Sequence, residues 1–239
     1  MNNIVKEIKE ALAVLSIPEK AEFFPRFFKT GKGEYGEGDV FLGVTVPDQR
    51  SVAKEYYKKV ELNDLSVLLS SQYHEYRLTA LFMLISKFEK TKDLQTKKKI
   101  VTFYLNHLPH INNWDLVDSS CYKILGRYAF ENDKEYILRE LSESEEMWHK
   151  RIAVVGTMHY VKKGSFDLTK EFVARNLKHP HDLMHKANGW LLREMGNKSE
   201  TELIAYLNQY YKEMPRTCLR YAIEKLDEDL RQNYLKGRV

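Results

Sequence analysis

Apolar residues return every three or four positions along nearly all of this 239-residue chain. That is the period of an amphipathic helix, whereas a half-buried strand alternates. The pattern predicts helices near 2–15, 18–30, 48–60, 62–70, 74–89, 92–108, 114–130, 133–142, 146–162, 167–178, 182–195, 200–211, 214–225 and 227–235. Pro18, Pro47 and Pro215 fall near predicted helix starts, where a missing N–H costs little. The segment VFLGVTV, residues 40–46, is the only strand candidate, and it is short and isolated.

The helices repeat. The stretches YRLTALFML, WDLVDSSCY, KRIAVVGTM, HKANGWLLR and LRYAIEKL align if Arg77, Trp114, Arg151, Lys186 and Arg220 are equivalent. The steps are then 37, 37, 35 and 34 residues. Two helices per unit at a spacing of roughly 34–47 residues is the signature of stacked helical pairs. The expected fold is therefore all-α, a curved superhelical solenoid of HEAT-like antiparallel helix pairs. It would form one domain over residues 1–239, with a glycine-rich loop insertion at 31–46. In such a stack, equivalent positions form a column on one surface. Four of the five column residues are cations. One turn on, the register holds Leu81, Asp118, Val155, Trp190 and Glu224. The alignment thus predicts two tryptophans, Trp114 and Trp190, and one carboxylate, Asp118, along a basic strip.

The charge balance permits a polyanionic partner without requiring one: the net charge is +4 and the pI about 8.8. What matters is whether the cations share a face. Two cysteines far apart, Cys121 and Cys218, argue against a disulfide framework and for a reducing, cytoplasmic setting. No apolar run reaches the ~18 residues of a membrane span, and the charged N-terminal helix does not read as a signal peptide. Gly31, Gly33 and Gly36 match GxGxxG literally. A dinucleotide site needs a strand before and a helix directly after. Here a helix precedes, and the next one waits for Pro47, so a surface loop is the expectation. His181/His185 and His107/His110 lack the glutamate or cysteines of a metal motif, and neither a metal nor another cofactor is expected.

A carboxylate in a phosphate-binding strip repels its ligand unless the substrate develops positive charge nearby. Cleavage of an N-glycosidic bond produces such a charge, because the sugar becomes oxocarbenium-like. At ~4 Å and an effective dielectric of ~20, the attraction is about 4 kcal/mol. That corresponds to roughly a thousandfold in rate. Indole faces add about 1–2 kcal/mol of cation–π attraction when desolvated. Phosphoryl transfer fits these residues poorly, since it calls for a metal or further cations.

The motifs WDLVD at 114–118, WHKRIA at 148–153 and GWLLRE at 189–194 resemble those of bacterial DNA alkylation repair proteins of the AlkD type. PEKAE at 18–22 and FLGVTVPDQR at 41–50 extend the resemblance over essentially the whole chain. It implies a HEAT-like DNA glycosylase, monomeric, that excises N3- and N7-alkylated purines from duplex DNA without a cofactor. By that resemblance Asp118 is the catalytic aspartate, Trp114 and Trp190 contact the sugar of the damaged nucleotide, and Arg151 contacts DNA. The resemblance also implies that the lesion is not extruded into a pocket. Lys150, Arg77, Lys186 and Arg220 complete the expected DNA-binding set. Phe27, Thr45 and His159 stand where relatives carry a tyrosine, a glutamine and a lysine, and the loop 31–39 is longer.

Blander assignments stand beside these. Trp114 could anchor a core. Asp118 could pair with Arg151. Asp115, at its helix start, reads as a structural partner of the helix dipole. Lys97–Lys98–Lys99 reads as a solvated face. The functional alternatives are a non-catalytic DNA-structure binder and a protein-interaction scaffold.

Overall fold

The computed structural model describes residues 3–239. Position 2, where the first helix is expected to begin, lies outside them. By internal contacts the chain divides into two compact units, one ending at Ser120 and one spanning Cys121–Val239. The repeat spacing suggests a single array over 1–239.

Unit 1 contains α1 (Asn3–Val14), α2 (Pro18–Phe27), α3 (Val46–Tyr56), α4 (Leu62–Leu69), α5 (His74–Lys90), α6 (Leu94–Asn106) and all but the last residue of α7 (Trp114–Cys121). Its core follows the apolar stripes: Val5, Ile8 and Leu12 of α1, Leu65, Leu68 and Leu69 of α4, and Leu81, Met83 and Phe88 of α5 are sealed from solvent. Thr45 caps α3 and Asp93 caps α6 by accepting backbone N–H bonds. Glu61 and Asp64 form a reciprocal capping box at α4.

No strand forms among the described residues, and the VFLGVTV segment makes one parallel bridge, Val40 with Tyr73. The rest of the segment wraps a buried anion. Glu75 is sealed in the core, and its Oε1 accepts the N–H groups of Gly43 at 2.8 Å, Leu42 at 3.1 Å and Val44 at 3.3 Å. Three amide donors replace the water a buried carboxylate loses. Gly43 makes the curl possible with φ +83°, and a Cβ there would lie 2.1 Å from the Ile17 carbonyl oxygen. Extended composition thus serves to solvate Glu75, not to pair with another strand.

Unit 2 contains α8 (Arg127–Glu131), α9 (Tyr136–Glu143), α10 (Met147–Gly156), α11 (Met158–Lys162), α12 (Asp167–Arg175), α13 (Asp182–Lys198), α14 (Glu200–Tyr210), α15 (Arg216–Ala222) and α16 (Glu228–Lys236). Two predicted helices are interrupted. The 114–130 run contains a π turn at Tyr122–Gly126, and the 146–162 run breaks at Thr157. Both breaks flank one close approach: a Cβ on Gly126 would fall 2.1 Å from the Gly156 carbonyl oxygen. Only glycine lets the two backbones meet there. Helix α13 packs against both α10 and α15.

Candidate active site

Helix α7 opens on Trp114, and Asn113 fixes that opening by accepting the Trp114 N–H through its side chain at 2.8 Å. Asp118 lies one turn further along. Trp114 and Asp118 are both half-buried, so neither is sealed in the core. The indole rests on two phenylalanines at the end of α2. Phe28 stacks on it at 5.5 Å between centroids, and Phe27 meets it edge-on at 5.8 Å. Trp114 is thus both an aromatic anchor and a partly open surface.

Beneath this aromatic layer lies a polar cluster. His74 is buried, and its ring bridges two carboxylates: Nδ1 is 3.0 Å from Asp39 Oδ2, and Nε2 is 2.8 Å from Asp115 Oδ2. Burial alone would lower the His74 pKa. The charge and hydrogen bond of Asp115, with the hydrogen bond of Asp39, outweigh burial and raise it to about 9. The imidazole is therefore a cation at neutral pH. Burial would raise the Asp39 carboxyl, yet His74 and Arg77 hold it below its ordinary range.

This cluster corrects the assignment of Arg77. The residue is 3% exposed. Its guanidinium pairs with Asp39 and donates to Asn112 Oδ1 and to the His110 carbonyl. A buried guanidinium needs such partners, and those bonds tie it to the fold and not to a phosphate. Asp115, expected to serve the helix dipole, proves structural by a different route, as the Nε2 partner of His74.

In unit 2, Arg151 is 4% exposed and donates to the Leu183 carbonyl, linking α10 to α13. It presents little surface to a phosphate, against the expectation of a direct DNA contact. Lys150 is half-buried beside it, Lys186 is half-buried and pairs with Asp182 at 2.7 Å, and Arg220 is exposed. Trp190 is half-buried, and its Nε1 donates to Glu194 Oε1 at 3.2 Å. His159 is half-buried against Phe130.

The helix starts also shift the repeat alignment. Arg151, Lys186 and Arg220 each lie four residues after the first residue of α10, α13 and α15. On α7 that position is Asp118, and Trp114 is the first residue. The aspartate itself thus shares register with the cations, and Trp190 falls one turn beyond. The WDLVD motif starts its helix a turn later than the spacing alone suggests.

His74, Asp39 and the role of Asp115 escape a search for exposed motifs. A signal was present: HEYR, residues 74–77, places four ionisable side chains directly before the apolar run LTALFMLI. All four residues are buried.

These features define an all-helical protein with a half-buried Trp–Asp pair on a helix face. A family model for the DNA alkylation repair enzyme matches residues 8–226, so the chain belongs to that family. Membership places its role in the repair of alkylated DNA. A solved structure described as a predicted DNA alkylation repair enzyme from Enterococcus faecalis is similar in fold, with a TM-score of 0.71. Sequence identity is 18% over 89% of this chain and 97% of that one, a likeness of fold alone. No curated protein matches the sequence.

Proposed function

We propose that the protein is a DNA glycosylase that removes cationic N3- and N7-alkylpurines from duplex DNA. The supporting observation is Asp118 held half-buried one turn after Trp114, in a chain of this repair family. An alkylated purine already carries positive charge. When the bond from C1′ to the base nitrogen breaks, its electron pair neutralises the base, and the base leaves without a general acid. The positive charge moves to the sugar, where the Asp118 carboxylate stabilises it. Water adds to C1′ on the face the carboxylate presents and gives its proton to Asp118 or to bulk solvent. Trp114 offers an indole face backed by Phe27 and Phe28, which limits water around the cation.

Trp190 takes the same task by its likeness to the family's second tryptophan. Lys150, Lys186 and Arg220 supply phosphate contacts, with the buried Arg151 bracing α13 beside them. The HEAT-like array over residues 1–239 would carry these groups on one protein, acting as a monomer in the cytoplasm. No step needs a metal.

Incubation with duplex DNA methylated at guanine N7 tests the reading. Release of free 7-methylguanine, unaffected by a chelator, is the expected result. Salt-dependent DNA binding with no base release would instead favour a non-catalytic DNA-structure binder. Absence of DNA affinity would favour the scaffold reading.

A further inference from the structure

Unit 1 holds a recess of about 490 Å³ where four helix ends meet. Tyr57 and Lys58 follow α3, and Glu61 and Leu62 open α4. Lys87, Lys90 and Thr91 close α5, while Thr96, Lys99 and Ile100 lie in the first two turns of α6. The volume falls within the range of ligand sites, about 300–1,000 Å³. At a rise of about 1.5 Å per residue, Lys87 stands about 15 Å along α5 from Arg77. The recess is thus at the other end of that helix from the His74 and Arg77 cluster.

Four lysines and one carboxylate line the recess, a surplus of three positive charges. None of these lysines forms an ion pair among the described residues. The carboxylate is already committed, because Glu61 accepts the Asp64 N–H in the capping box of α4. Asp93, beside Lys99, accepts the Thr96 N–H at 2.8 Å and the Thr96 hydroxyl at 2.6 Å. Lys87 and Lys90 stand in the last turn of α5 and complement its dipole. Lys99 stands in the second turn of α6 and gains nothing from that dipole. Of the run Lys97–Lys98–Lys99, whose sequence reads as a solvated face, Lys99 lines the recess and Lys98 does not.

We propose that this recess binds a compact oligophosphate anion. An ammonium on a flexible stem is a point-charge ligand for phosphate. A terminal phosphate alone carries about −1.5 to −2 at neutral pH, so two or three linked phosphates match the surplus and a single one does not. Thr91 Oγ accepts the Asp93 N–H at 3.2 Å and keeps its own proton to donate to a phosphate oxygen. Tyr57, Leu62 and Ile100 complete the lining with apolar surface that suits a flat ring. Two sources share this chemistry, a nucleoside triphosphate and an inorganic oligophosphate. Duplex DNA is a stiff rod and fits a track of cations better than a recess between helix ends. The proposal is independent of the glycosylase reading, because none of these residues belongs to the Trp114–Asp118 site.

The test is calorimetric titration of the full chain, free of divalent metal and at fixed ionic strength, with sodium tripolyphosphate, adenosine triphosphate and orthophosphate. Tripolyphosphate should bind at least about tenfold tighter than orthophosphate. Lys87→Gln combined with Lys90→Gln should weaken it by at least about tenfold, and Lys98→Gln, at an exposed residue outside the recess, should leave it unchanged. Adenosine triphosphate binding at least about tenfold tighter than tripolyphosphate assigns the recess to a nucleotide, and equal binding assigns it to inorganic oligophosphate. Equal affinity for tripolyphosphate and orthophosphate overturns the proposal, as does full tripolyphosphate affinity in a folded double variant. Equal weakening by Lys98→Gln also overturns it, because the anion then senses only a diffuse basic surface. Fluorescence anisotropy with unmodified duplex DNA completes the test. Duplex affinity should be unchanged in the double variant, and a tenfold loss would place these lysines in the DNA interface and overturn the oligophosphate site.

Discussion

Raising the pH from about 7.5 to 8.5 should destabilise the protein through one side chain, His74. Its pKa is raised from an ordinary 6.5 to about 9 by Asp115 and Asp39, against burial. A base whose folded pKa exceeds its unfolded value contributes stability that is complete below the unfolded pKa. That stability is lost as pH rises through the folded pKa. The full contribution is about 3 kcal/mol, because every tenfold change in proton affinity between the folded and unfolded chain is worth about 1.36 kcal/mol. Across the window from about pH 7.5 to 8.5, roughly 1 kcal/mol of it disappears. The window avoids two other contributions. His110, His159, His179 and His181 all have lowered pKa values and act on the acid side of 6.5. Cys218, whose thiol burial pushes up to about 12, acts from about pH 9 upward. Urea unfolding at several pH values measures the slope. His74→Gln should flatten it and lower stability at about pH 7.5 by roughly 3 kcal/mol, because Asp39 and Asp115 lose their shared cation. A wild-type unfolding free energy that stays level across the window would refute the charge assignment, as would an undiminished slope in the variant.

Arg77→Gln should lower the unfolding free energy by about 3 kcal/mol in denaturant titrations, because Asp39 stays buried with less compensation. The same variant should leave the salt dependence of DNA binding unchanged. Lys150→Gln combined with Arg220→Gln should reduce the slope of log affinity against log salt by about 1.8, since each phosphate contact contributes about 0.9. Fluorescence anisotropy with duplex DNA measures that slope, and an unaltered value would remove these two cations from the interface. Gly43→Ala should destabilise by more than about 2 kcal/mol in thermal unfolding, because the new methyl meets the Ile17 carbonyl in a left-handed backbone.

The helices were legible because their apolar stripes are long and periodic, and the breaks at the π turn and Thr157 were not. Those breaks answer a contact between Gly126 and Gly156, residues far apart in sequence. Trp114 and Asp118 were legible as a pair because four residues make one helical turn. The burial of Arg77 was not, because an arginine at the start of a helix reads the same whether it meets water or Asp39. That carboxylate arrives from the glycine-rich loop, 38 residues earlier. Residues 40–46 were legible as part of a loop insertion and no more than a short strand candidate, but the reason they stay unpaired was not. Their β-branched composition suggests a strand, but the amides of Leu42, Gly43 and Val44 face the Glu75 carboxylate and cannot serve a partner strand. Local pattern carries elements and their faces, whereas the pairing of buried charges is a tertiary property.

The central claim is that Asp118 stabilises a sugar cation. Single-turnover release of 7-methylguanine from methylated duplex DNA by the wild type and by Asp118→Asn tests it most directly. With ~4 kcal/mol of attraction removed, the rate should fall about a thousandfold while DNA affinity holds or rises slightly. An Asp118→Asn enzyme that releases the base at the wild-type rate would contradict the account.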